Sequence, residues 1–213
     1  MRRTLALAVA AATMLTVTTQ LPASSAAAAR PVVYLTFDDG PSTDTRAVLD
    51  ILARYGVKAT FFEVGNAVAG RASIARRVVA GGHRIGNHTW SHPSLTKLSS
   101  AGVRSEITRT QDAISAATGR RPGCVRPPYG ATNATVRTVL GSMGLTQALW
   151  NVDTRDWSGI SVSAIVASMN TARHGSVILL HDGGGKRGRT VEALRTWLAA
   201  NHSRFEFRTL PGC

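Results

Sequence analysis

Val32-Val33-Tyr34-Leu35-Thr36-Phe37-Asp38-Asp39-Gly40-Pro41 runs an alternating, β-branched stretch straight into two carboxylates and a turn. Val32 to Phe37 reads as a strand, and Asp-Asp-Gly-Pro reads as ordinary turn chemistry at its end. Four further motifs share the arrangement, with polar residues at or just beyond an apolar, strand-like run. They are His88-Thr89-Trp90-Ser91-His92-Pro93, Arg126-Pro127-Pro128-Tyr129-Gly130, Asp153-Thr154-Arg155-Asp156-Trp157 and Leu179-Leu180-His181-Asp182. Strand ends are where an α/β fold assembles a site, so residues distant in sequence can converge there.

Outward from that first strand, the chain alternates between two periods. Ser42-Thr43-Asp44 offers helix caps, and Val48, Leu49, Ile51 and Leu52 give an apolar helical face ending near Gly56. Lys58 to Val64 is a second strand, Ile74 to Ala80 a helix stopped by Gly81-Gly82, and His83 to Gly86 a short third strand. A long helix capped at Thr96 or Ser99 carries Val103, Ile107, Ile114 and Ala117 and ends at Gly119. Strands are expected at Cys124 to Arg126, Leu145 to Trp150, Val177 to Leu180 and Phe205 to Leu210. Helices are expected at Thr132 to Met143, Val162 to Met169 and Val191 to Ala199. About seven strands alternating with helices make a mostly parallel α/β sheet. The pattern alone does not separate a barrel from an open doubly wound sheet.

The first 29 residues read as a processing signal. Met1-Arg2-Arg3 is a positive start, Leu5 to Val17 an apolar core too short to span a bilayer comfortably, and Ala23 to Ala29 a run of small-residue cleavage options. Cleavage near Ala29 leaves residues 30–213 as one catalytic domain, with no membrane span, no linker and no internal repeat. Export places the protein outside the cell, in reach of the wall, and there Cys124 and Cys213 can pair. The bridge would pin the C-terminus beside the strand leading into Arg126. A monomer is expected. The net charge of +13, which loses Arg2 and Arg3 with the signal, suits anionic wall polymers as neighbours. The 22 Arg against 3 Lys look like base composition, and scattered Arg without interleaved aromatics speaks against nucleic acid.

His88 and His92, four apart, would share a face on one helical turn, although Pro93 limits that turn to a single one. Two His and a carboxylate with open positions form a common catalytic zinc set. Of two adjacent carboxylates, one can hold a metal while its neighbour takes a proton from water. Arg126 would pair bidentately with that base. The Pro-Pro-Tyr-Gly excursion can present an N–H to an oxyanion. His181 ends an apolar strand and needs a partner, for which Asp156 is the candidate; such a pair makes a good general acid. Gly183-Gly184-Gly185-Lys186 lacks Walker spacing and has Arg187 where Ser or Thr would stand, so it is not a phosphate loop. His83, His174 and His202 lie outside any motif.

Together, in this order, the five motifs resemble the polysaccharide deacetylases of carbohydrate esterase family 4, the NodB-homology domains, over nearly the whole chain from Val32. The resemblance implies a distorted (β/α) barrel, often of seven strands. It implies Asp38 as general base, Asp39, His88 and His92 as ligands of zinc or another divalent ion such as cobalt, and Arg126 orienting Asp38. It further implies the Tyr129 N–H at the oxyanion, Asp156 pairing with the general acid His181, and Trp157 and Leu179 lining the acetyl pocket. The activity implied is hydrolysis of N-acetyl groups on peptidoglycan, chitin or their oligosaccharides, with acetylated xylan, an O-deacetylation, as the alternative. A wall-binding protein with a degenerate site is the third reading, and the intact motifs oppose it. Ser158-Gly159-Ile160 lacks the proline many relatives carry, which bears on one pocket wall only.

Overall fold

The computed structural model describes residues 29–213, so the expected leader, up to its last residue, lies outside the described residues. β1 (Val32–Gly40) lies inside the sheet and pairs with three other strands. α1 (Thr43–Arg54), β2 (Thr60–Glu63), α2 (Gly65–Gly70), α3 (Ala72–Ala80), β3 (Arg84–Asn87), α4 (Ser100–Thr118), β4 (Cys124–Val125), α5 (Ala134–Ser142) and β5 (Thr146–Gln147) then step away to one side. β6 (Val152–Asp153), α6 (Val162–Met169), β7 (Ser176–His181), α7 (Gly188–Asn201) and β8 (Glu206–Phe207) complete the other. Strand order is β5-β4-β3-β2-β1-β7-β6, and every pairing is parallel. β8 pairs with Val32 and Val33, before β2 joins β1 at Thr36.

The sheet is a curled, incompletely closed barrel, and one short connection decides this. β5 and β6 are its two edges, yet only Ala148 to Asn151 join them. Five extended steps reach about 18 Å at most. Six interstrand spacings in a flat sheet would part the edges by about 29 Å. The sheet must curl to let the chain across. The expected strand Leu145 to Trp150 is therefore corrected to the short β5, and β6 is a further short strand on the opposite edge, beyond the expected range. The Ala148 N–H still pairs with the Val125 carbonyl, but beyond it the chain leaves the ladder to cross the gap.

Period two sorts β1 into two faces. Val33, Leu35 and Phe37 join the outer core with Val48, Leu52, Leu194 and Trp197 of α1 and α7. Thr36 and Asp38 lie on the opposite face, buried toward the barrel interior. Register carries this across to β7, where Leu179 is level with Thr36 and His181 with Asp38, while Ile178 and Leu180 join the outer core. A smaller core of Leu95, Val103, Ile107, Val125, Val136 and Leu140 seats α4 and α5. Cys124 and Cys213 are joined as a disulfide, tying β4 to the C-terminus. No helix among the described residues is long and apolar enough to cross a membrane.

Candidate active site

At the carboxyl end of β1, Asp38 is buried and its Oδ1 accepts a hydrogen bond from Arg126 Nη1 at 2.7 Å. The same Nη1 donates to Thr36 Oγ1 at 2.8 Å, and Nη2 donates to the Leu149 carbonyl at 3.1 Å. The contact is thus one N–H to one oxygen, a correction of the expected bidentate pair, because the rest of the guanidinium is engaged by the chain that crosses the barrel gap. Asp38 Oδ2 is left free, 3.7 Å from His88 Nε2. Arg126 is fully buried and its guanidinium lies 4.1 Å from the Phe62 ring centroid. Burial pulls its pKa down, while the charge of Asp38 pulls it up.

Asp39 turns the other way. Its backbone is left-handed (φ 73°), and its Oδ1 lies 3.4 Å from His88 Nε2 and 3.1 Å from His92 Nε2. Burial raises its pKa, but the two imidazoles close beside it outweigh that and hold it well below the carboxylate range. His88 Nδ1 sits 2.7 Å from the Arg126 carbonyl, an acceptor only, so Nδ1 carries the proton and Nε2 offers its lone pair. Arg126 therefore serves both groups, its side chain holding Asp38 and its carbonyl fixing the tautomer of His88. The three donor atoms of Asp39, His88 and His92 lie within 4.8 Å of one another, and Asp39 Oδ1 is buried without a hydrogen-bond partner. An orphaned carboxylate oxygen facing two imidazole nitrogens fits a divalent metal such as zinc.

The histidines do not share a helical turn, a second correction. Residues 88–94 form a loop with left-handed backbone at Thr89 (φ 67°) and His92 (φ 61°), and Pro93 bars a helix at His92. Glu106 of α4 pins that loop, accepting the N–H groups of Trp90 and Ser91 at 2.9 Å each. Glu106 carries no motif signal, and Thr36, although inside the first motif, has no role assigned from the sequence. Gly183 and Gly184 press against Asp39: a Cβ on Gly183 would meet the Asp39 carbonyl oxygen at 1.9 Å, and one on Gly184 would meet Asp39 Oδ2 at 2.4 Å. The glycine run thus serves close packing on Asp39. Arg187, set aside in the sequence with that run, is buried with Nη2 3.9 Å from Asp39 Oδ2.

Opposite the triad, His181 Nδ1 meets Asp156 Oδ1 at 2.7 Å, which leaves Nε2 for the pocket. Asp156 Oδ2 accepts from the His181 N–H at 2.8 Å and from Thr190 Oγ1 at 2.7 Å. Burial lowers the pKa of His181, but its hydrogen bond to Asp156 and the surrounding carboxylates lift it overall. Tyr129 is left-handed (φ 61°), and the turn's hydrogen bonds run from Gly130 and Ala131, not from its own N–H. A pocket of about 350 Å³ brings together Asp38, Asp39, His88, His92, Tyr129, Trp157, Leu179 and His181, with Trp150 and Asp153 added to the expected set. Asp153 Oδ1 accepts the Arg155 N–H at 2.9 Å and so shapes the turn that delivers Asp156. Every non-glycine residue with positive φ among the described residues belongs to one of these motifs: Asp39, Thr89, His92, Tyr129 and Arg155. Such backbone costs on the order of 1–3 kcal/mol each and concentrates at functional sites.

Behind the site, Glu63 and Asp182 are fully buried carboxyls at the ends of β2 and β7. Burial and the neighbouring Asp182 push Glu63 up; burial chiefly lifts Asp182 to about 7. The other histidines are structural: His83 Nδ1 accepts the Ala59 N–H at 3.2 Å and burial pushes it down to about 4, while His174 Nδ1 accepts the Val32 N–H at 3.2 Å.

The family model for polysaccharide deacetylase matches residues 25–148. This chain belongs to that family. A chitooligosaccharide deacetylase of Rhizobium leguminosarum bv. trifolii is 41% identical over 193 residues, covering 84% of this chain and 90% of the relative. The peptidoglycan-N-acetylglucosamine deacetylase PgdA of Listeria monocytogenes is 43% identical over 155 residues, covering 70% of this chain but 32% of that longer protein. A solved family 4 carbohydrate esterase from Streptomyces lividans, in complex with acetate, superposes with a TM-score of 0.76 at 42% identity, covering 82% of this chain and 91% of that one. As a polysaccharide deacetylase the protein is a hydrolase acting on carbon–nitrogen bonds other than peptide bonds.

Proposed function

We propose that this polysaccharide deacetylase is exported by residues 1–29, that residues 30–213 are its single catalytic domain, and that it removes N-acetyl groups from N-acetylglucosamine-containing glycans. One observation carries the reading: Asp38 and His181 stand level on neighbouring strands, with the Asp39, His88 and His92 donors beside them in one pocket. That is an acid, a base and a metal set around one small cavity. Chitooligosaccharide and peptidoglycan deacetylases among the relatives support the substrate class.

Asp39, His88 and His92 would hold the metal, which when bound supplies Lewis-acid polarisation of the acetyl carbonyl and a lowered pKa for water. Asp38, steadied on one oxygen by Arg126, has its other oxygen free to take the proton from the attacking water. The Tyr129 N–H, freed by the left-handed turn, faces the negative charge that develops on the carbonyl oxygen. His181 delivers its Nε2 proton to the departing amine, and Asp156 stabilises the charged ring until it does so. Trp157 and Leu179 wall the space for the acetyl methyl. Free amine and acetate result.

The test is acetate release by residues 30–213, stripped of metal and reloaded with zinc, offered N-acetylglucosamine oligomers, peptidoglycan and acetylxylan side by side. Zinc-dependent acetate with new amines on a glucosamine polymer is expected. D38N should abolish turnover with metal content near normal, and retained activity in D38N would sink the assignment of the base. Acetate from xylan alone would make the enzyme an esterase, and none from any glycan with zinc bound would turn the reading toward a binding role.

A further inference from the structure

The catalytic pocket is one side of a wider cleft. Across the ligand triad lies a second hollow of about 650 Å³, which shares Asp39, His92 and Tyr129 with it and extends past Ser42, Asn66 and Ser91 to Arg71. Arg71 stands where α2 gives way to α3, its side chain exposed. It is the single Lys or Arg lining this hollow, and among the described residues its guanidinium has no ion-pair partner. The single acid in the lining is Asp39, whose Oδ1 faces the histidines and whose Oδ2 lies 3.9 Å from Arg187 Nη2, so neither oxygen is turned to Arg71 as an ion-pair partner. The hollow therefore offers hydrogen-bonding side chains, a volume in the range of ligand sites and one unanswered positive charge.

A planar guanidinium matches a carboxylate with two parallel N–H bonds, a fit that a neutral hydroxyl or acetamide cannot reproduce. We propose that this hollow is a subsite for a sugar unit bearing a carboxylate, next to the unit that loses its acetyl group, and that Arg71 pairs with that carboxylate. The inference rests on the deacetylase reading of the adjoining pocket and narrows its substrate to acidic acetylated glycans. Peptidoglycan strands with free lactyl carboxylates are of that class; chitin is not. The net charge, +13 for the full sequence and 13 − 2 = +11 once Arg2 and Arg3 are lost, favours the approach of such a chain.

The experiment compares acidic glycan tetramers from peptidoglycan with the same tetramers after their carboxylates are converted to methylamides, which removes the charge and keeps the length. Steady-state acetate release is measured with zinc-loaded wild type, R71A and R71K. Wild type is expected to prefer the acidic tetramer roughly two- to fivefold in kcat/KM, the difference carried by KM, as befits a pair open to solvent. Added salt should shrink that preference. R71A should erase it and R71K should keep part of it. A wild type indifferent to amidation, or an R71A with undiminished preference, overturns the subsite, although acetate release from both tetramers would leave the deacetylase reading standing. If no glycan yields acetate, that reading fails instead. Calorimetric binding of the acidic and amidated tetramers to wild type and R71A then decides the subsite by the same comparison.

Discussion

Asp156 accepts three hydrogen bonds, and two of them come from His181. Burial alone would raise the pKa of Asp156 and lower that of His181, so the pair survives in charged form because each lowers the cost of the other. The linkage has two signs. The raised His181 contributes stability that is complete below its ordinary 6.5 and is lost as pH rises through the elevated folded value. The depressed Asp156 contributes stability that is complete above its ordinary 3.8 and is lost as pH falls through the lowered folded value. The pair is at full strength between those two ordinary values. If His181 is the acid, as proposed, it must carry its proton, and the alkaline limb of kcat should follow it. In D156N that limb should move to lower pH and kcat should fall by about 10²-fold or more, read from pH–rate profiles of both enzymes. A reduced kcat with the limb in place would make Asp156 a structural partner only.

At the scale of elements, the sequence was most legible where one period ran uninterrupted. β1, β2, β7, α1, α4 and α6 follow directly from alternation, helical spacing and caps such as Ser42 and Ser99, whose side chains accept from Asp44 and Gly102 as expected. It was least legible where a distant side chain does the work of a ladder. Leu145 to Trp150 looks like one apolar strand, and only Arg126, more than twenty residues earlier, shows that the Leu149 carbonyl is answered from elsewhere. The histidine pair was found by its spacing but misassigned in shape, because Glu106, which holds its loop, lies in the polar sequence of α4. α2, built of small residues without a side-chain cap, had no period to read. The disulfide was readable from compartment logic and holds β4 to the chain end across 89 residues. In the chain-entropy model such a closure stabilises by roughly 4 kcal/mol less strain. C213S should accordingly lower the melting temperature by roughly 5–15 °C, measured by scanning calorimetry against the oxidised wild type. An unchanged midpoint would mean that the packing of the last residues, not the bond, secures β4.

For the whole molecule, the question is what keeps a sheet of short edge strands curled. β5 and β6 are two residues each and do not pair with each other among the described residues. Between them the backbone crosses the gap, and its carbonyls point at a guanidinium that also grips Thr36 and Asp38 on β1. Arg126 therefore spans the barrel interior from β1 to the opening, and Asp38, the proposed base, hangs from the same clasp that closes the fold. R126M should leave a buried Asp38 unpaired and the crossing segment unheld, at a cost of about 3–5 kcal/mol. That corresponds to a melting temperature lower by roughly 6–20 °C. D38N removes the proposed base but leaves the guanidinium its bonds to Thr36 and the crossing carbonyls, so it should melt above R126M. Amide exchange at Thr146–Gln147 and Val152–Asp153 should quicken in R126M and change little in D38N. If the two variants melt together with the edge amides equally protected, the clasp adds nothing beyond the ion pair, and the curl must rest on the packing of helices against the sheet.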